Sequence, residues 1–172
     1  LADVYREGGQ FEPAYWLYSR VTDGKVSATR EQQSWARLNV GRAMYGQQRD
    51  VKDVLGQYEQ AVKLSPKSAW AGDALFLSGN IHLNHFRDVK GAVEMWQRQL
   101  AGYPQSEEAE RAAFYIATAY DWSGQGALAA QAYKDALARF PTGTFTALIK
   151  GRLAALEDKM ASKTSGTENK GH

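Results

Sequence analysis

Three stretches of this chain recur at a single offset. Arg49-Asp50-Val51-Lys52 returns as Arg87-Asp88-Val89-Lys90, Gly41 returns as Gly79, and Pro66-Lys67-Ser68 returns as Pro104-Gln105-Ser106, every pair the same distance apart. One shared tetrapeptide is weak evidence, but three coincidences at one offset define a repeated structural unit. Ala117 lies that same distance beyond Gly79, whereas Pro141 falls one short of it from Pro104, which places a single deletion in the turn of the last repeat. Units of this length bury their apolar faces by stacking on their neighbours.

The clearest unit spans residues 110–143. Ala113, Ile116, Ala117 and Tyr120 fall at i, i+3, i+4 and i+7, one face of a helix, and Gly124-Gln125-Gly126 interrupts it. A second face follows with Ala129, Ala132, Tyr133, Ala136, Leu137 and Phe140, after which Pro141 forbids continuation. Alanines at 117, 129 and 136 let two helix backbones approach, and Tyr120 and Tyr133 fill the space beside them. The unit is a helical hairpin.

The order Ile116, Ala117, Tyr120, Ala129, Tyr133, Ala136, Pro141 resembles the tetratricopeptide repeat at all seven of its signature spacings. That resemblance implies an all-α, right-handed α-α superhelix of hairpins closed by a C-terminal cap helix, working as a noncatalytic scaffold for protein partners. The 172 residues, 44% of them hydrophobic, suit one such solenoid. A formal net charge of +2, with 21 basic and 19 acidic residues interspersed, offers no broad field for a polyanion, so nucleic acid is not expected as a partner. The absence of cysteine excludes a disulfide framework and thiolate zinc sites and suits cytoplasm and periplasm alike. No run approaches the length of a membrane-spanning helix, so direct membrane insertion is not expected.

In chain order, residues 1–26 read as a hairpin lacking its opening turns, with Leu1, Ala2 and Tyr5 before the Gly8-Gly9 turn and Ala14, Tyr18 and Val21 after it. The missing surface suggests further chain, including further repeats, upstream. Repeats then follow at 30–67, 69–105 and 107–143, with turns near 46–50, 84–88 and 123–126. Ser27 or Thr29 supplies the N-cap of the second unit, and Asp50 and Asp88 cap the second helices. Trp96 takes the aromatic core position held elsewhere by Tyr18, Tyr58 and Tyr133. Phe145, Leu148, Ile149, Leu153 and Leu156 stripe a cap helix over 144–159, with Lys150, Arg152, Glu157 and Asp158 toward water. The repeat domain ends at residue 160, and the polar segment 161–172 is expected to be disordered.

Chemical constellations are sparse. His82 and His85 stand at i, i+3 with no third ligand nearby in sequence, so surface or packing histidines are expected and no metal or other cofactor is implied. Glu107, Glu108 and Glu110 follow Ser106 in a first helical turn, where acids favour the helix dipole. Gly124-Gln125-Gly126 lacks the Lys-Ser/Thr of a phosphate loop and joins two helices. No catalytic residue is assigned.

The resemblance directs attention to the first helix of each repeat, whose free face lines the concave groove in arrays of this kind. Leu38, Phe76 and Phe114 form one row at the repeat spacing, Arg42, Asn80 and Thr118 a second, and Tyr45, Leu83 and Asp121 a third. With Arg111 and Trp122, these define the candidate partner-binding groove for a peptide or helix. The Leu, Phe, Phe row admits two readings, groove or core between hairpins, because Arg37 stands where the repeat usually places its first core aromatic. No lysine occupies these rows, a departure from the carboxylate clamp of chaperone adaptors.

Tyr103-Pro104-Gln105-Ser106 with Ala109, Ala112 and Ala113, and Phe140-Pro141-Thr142-Gly143 ahead of Arg152-Leu153-Ala154-Ala155-Leu156, look like bacterial cell-envelope repeat proteins. The Tol–Pal periplasmic coordinator and the outer-membrane-assembly lipoprotein are of this type. That likeness implies an adaptor in a bacterial envelope assembly, in the periplasm or cell envelope, with oligomerisation open. The alternative is a targeting or oligomerisation arm of a larger enzyme or secretion or biosynthesis machine, with the cytoplasm as the alternative compartment.

Overall fold

The computed structural model describes residues 1–168, which form nine α-helices. They run α1 (Ala2–Glu7), α2 (Phe11–Thr22), α3 (Arg30–Gly46), α4 (Val51–Leu64), α5 (Ala69–Asn84), α6 (Val89–Gly102), α7 (Glu108–Trp122), α8 (Gly126–Arg139) and α9 (Thr146–Glu168). Each helix packs on the next in sequence, and α5 also touches α3 and α7, so the first helices make the inner layer of an α-α superhelix.

The helix ends follow from local chemistry. Thr29 closes a reciprocal capping box with Gln32, Asp50 accepts the Lys52 amide and Asp88 the Gly91 amide. Four residues separate α3 from α4 and α5 from α6, but three separate α7 from α8, which is the deletion seen in the repeat offset. The shorter turn closes through Gly124 at φ 78°, while Gln48 holds a left-handed φ of 57° without glycine's freedom.

Between paired helices a small residue meets an aromatic one. A Cβ on Gly79 would stand 2.4 Å from Nε1 of Trp96, and one on Gly41 would stand 2.5 Å from the Tyr58 ring. Trp96 is fully buried, and its indole N–H donates to the Phe76 carbonyl at 3.1 Å. Two buried clusters result, one running from α2 to α5 and the other from α5 to α9.

Two expectations require correction. Glu107 lies not within the first turn of α7 but at its cap position, without a side-chain bond, and the Gln99 amide donates to the Ser106 hydroxyl at 2.6 Å. One repeat earlier Ala61 stands in place of Gln99, and Ser68 is left free to cap α5. The cap helix also extends past residue 159 to Glu168, so part of the segment expected to be disordered is helical, and residues 169–172 lie outside the described residues. Leu156 and Met160 both face Gly126 at the start of α8, which carries the packing of α9 one turn beyond Leu156.

Candidate functional site

The inner layer opens into a cleft between α5, α7 and α9, with a volume of about 360 Å³. Asn80, Leu83 and Asn84 on α5 form one wall, Phe114, Thr118 and Trp122 on α7 the middle, and Leu148 and Arg152 on α9 the other wall. Trp96 reaches it from behind.

An aromatic ladder holds these helices in register. Phe76 stacks on Tyr115 at 5.7 Å between centroids, Tyr115 meets Phe114 at 6.0 Å, and Phe114 stacks on Phe145 at 5.0 Å. The start of α9 is fixed by Glu110 of α7, whose two carboxylate oxygens accept the amides of Thr144 (2.9 Å) and Phe145 (2.6 Å). Glu110 therefore does more than complement its own helix dipole. It supplies a capping carboxylate to the next repeat.

Guanidinium groups lie over this ladder. Arg111 sits over the Phe76 ring at 5.7 Å and Arg152 over the Phe114 ring at 5.8 Å. Among the described residues neither has a carboxylate within ion-pair distance. Inside the cleft, Nε of Arg152 and Oδ1 of Asn80 are buried without hydrogen-bond partners. Trp122 is 70% exposed, second only to Leu1 among the large apolar side chains of the described residues.

Of the eleven sequence-derived groove residues, Asn80, Leu83, Phe114, Thr118 and Trp122 meet in this cleft. The Leu38, Phe76, Phe114 row is core: Leu38 is fully buried, and Phe76 and Phe114 retain 5% and 7% exposure. That corrects the groove reading for Leu38 and Phe76 and leaves Phe114 only an edge on the cleft. Thr118 is also buried, its hydroxyl 3.4 Å from that of Tyr133. Arg42 is drawn to Asp73 at 3.0 Å and to Asn39, and Tyr45 is exposed at a separate depression beside Gln48, Arg49 and His85. Arg111 lies over the neighbouring ring, and Asp121 is half-buried beside Trp122.

The repeat pattern does not nominate Tyr115, Asn84, Leu148 or Arg152 as groove residues. Arg152, placed toward water by the apolar stripe of its helix, instead folds over Phe114. One repeat on from Phe114 stand Gly151 and Arg152, so extending the row into the cap helix is the available signal.

His82 and His85 do not converge. Nδ1 of His82 lies 3.0 Å from Asp88 Oδ2, and His85 packs edge-on against Phe86. The Asp88 carboxyl is held below its ordinary range by the Gly91 amide and then by His82. No cluster of three or more potential metal-ligating side chains occurs among the described residues. Nor is any helix there long and apolar enough to cross a membrane.

Residues 111–143 match the tetratricopeptide-repeat family model, the segment that carries the seven signature spacings. Among solved structures, a kinesin-light-chain-type protein from Podosopora anserina built of nearly identical tetratricopeptide-like repeats superposes with a TM-score of 0.70 at 16% identity. The match covers 98% of this chain and 87% of that one. MamA superposes with a TM-score of 0.64 at 18% identity, over 99% of this chain and 90% of the other. At these identities the likeness establishes the fold. No curated protein sequence matches the chain.

Proposed function

We propose that this chain is a noncatalytic scaffold that docks an extended segment of a partner protein in the cleft between α5, α7 and α9. The observation that carries this reading is the pairing of an exposed Trp122 with two buried, unsatisfied polar atoms of opposite sense, Asn80 Oδ1 and Arg152 Nε. Unsatisfied buried groups cost about 1–3 kcal/mol each. One extended peptide supplies both what Asn80 lacks, an N–H donor, and what Arg152 lacks, a carbonyl acceptor, and its side chains bury the indole. The Tyr103-Pro104-Gln105-Ser106 likeness supports a bacterial envelope assembly as the setting, a placement that cell fractionation of the native protein tests separately.

The docking test is a library of randomised peptides panned against the protein, with selected binders titrated against Trp122→Ala. Trp122 is mostly solvent-exposed, so its loss should leave the melting temperature nearly unchanged while weakening binding by ~2 kcal/mol or more. Selected peptides that bind the variant as well as the parent would remove the cleft from consideration.

A further inference from the structure

The cleft has a polarity, which shows in the charges around it. Arg111 lies in the first turn of α7 and Arg152 in the second turn of α9, so both guanidiniums sit toward the helix starts, where the dipoles also favour anions. Trp122 and Leu83 lie at the other end, with Asp121 beside them in the last turn of α7. Two neighbouring carboxylates are already committed, Asp73 to Arg42 at 3.0 Å and both oxygens of Glu110 to the amides opening α9, while Glu108, three residues before Arg111, makes no ion pair with it. Glu107 lies one turn before Arg111 on the same helix face, and no ion pair joins them.

Resting on the docking reading above, we infer that the occupant is an internal acidic segment of a partner protein. It presents two side-chain carboxylates to Arg111 and Arg152 and an apolar side chain to Trp122. Each guanidinium stands over a different ring of the ladder, Phe76 on α5 and Phe114 on α7, and those helices are neighbours. The two guanidiniums come from separate helices, α7 and α9, and lie over separate rings, so each is offered its own carboxylate. Each guanidinium carbon lies within cation–π range of its ring, at 5.7 and 5.8 Å, and with no carboxylate partner its terminal N–H groups are available for a charge-assisted bond.

The test uses randomised peptides, N-acetylated and C-amidated so that every carboxylate is a side chain, panned on the intact protein. Binders should be enriched in paired Asp or Glu beside an aromatic or aliphatic residue. Arg111→Gln and Arg152→Gln should each weaken them about tenfold and flatten the salt dependence, and Arg98→Ala on the outer layer should not. A thermal melt checks that each variant is folded, and Arg152→Lys, which keeps the charge and loses the fork of N–H donors, should fall between parent and Arg152→Gln. Binders lost in Trp122→Ala but without acidic enrichment, or indifferent to both glutamine variants, would overturn the acidic occupant and leave the docking site standing. Binding only by free-acid peptides would replace it with a terminal carboxylate. Binders indifferent to Trp122→Ala would overturn both.

Discussion

At one register of two successive first helices stand residues of opposite charge, Asp73 on α5 and, one repeat later, Arg111 on α7. In the N-terminal half of the inner layer Asp73 is closed off by Arg42, itself tied to Asn39. In the C-terminal half Arg152 lines the cleft and Arg111 stands beside it over the Phe76 ring, and among the described residues neither pairs with a carboxylate. Repetition of the backbone thus leaves function to be written by single substitutions at equivalent positions. In one half the facing charges are sealed against each other, and in the other they are open.

The largest effect that sharpens this contrast concerns the ladder under the open half. Phe114→Ala should cost about 3–5 kcal/mol of stability, because its buried ring stacks on Phe145 and carries Arg152. Leu38→Ala in the sealed half should cost about 2–5 kcal/mol without changing the affinity of a selected peptide. Chemical denaturation of both variants, paired with titrations, separates core from cleft. A near-neutral Phe114→Ala would mean that the ladder does not hold α9 in place.

Smaller effects are expected where helices meet. Gly79→Ala forces a methyl group against Trp96 and should destabilise by about 1–3 kcal/mol, with the cleft wall shifting as the indole moves. Gly56→Ala, where an added Cβ meets nothing within 4 Å, should instead stabilise α4 by up to ~1 kcal/mol. Opposite signs in thermal melts are the expected outcome; equal effects would contradict the close approach of α5 and α6.

The sealed half also carries a pH signature. Burial raises the pKa of Asp73 above its ordinary 3.8, and the nearby Arg42 only partly offsets this. A carboxyl whose folded pKa is raised contributes stability that is full below its unfolded value and is lost as pH climbs through the folded one. Asp73→Asn removes that titration. The melting temperature of the variant should therefore gain on the parent as pH rises from below 3.8 through the acid range, and a variant that loses ground to the parent over that range would reverse the sign of the burial argument.

Much of the fold was legible because its determinants are local and repeated. The constant repeat offset carries the hairpins, and Thr29, Asp50 and Asp88 announce their helix starts by side-chain chemistry alone. The shortened α7–α8 turn follows from one proline out of step. The site was harder to read. Phe76 lies three residues before Gly79, and residues at that spacing share a helix face, so the contact of Gly79 with Trp96 also turns Phe76 inward. Gln99 taking the Ser106 hydroxyl, and Arg152 folding back over Phe114, are contacts between separate helices that no single-helix pattern contains.

The chain's five tryptophans are positioned to report which half of the inner layer receives a partner. Trp35 and Trp70 pack against the N-terminal cluster, whereas Trp96 and Trp122 line the C-terminal cleft. Indole N–H resonances of the isotope-labelled protein, followed during titration with a library-selected peptide, should shift at Trp122 and Trp96 and stay fixed at Trp35 and Trp70. Shifts confined to Trp35 and Trp70 would place docking in the half closed by the Arg42–Asp73 pair and contradict the division of the array.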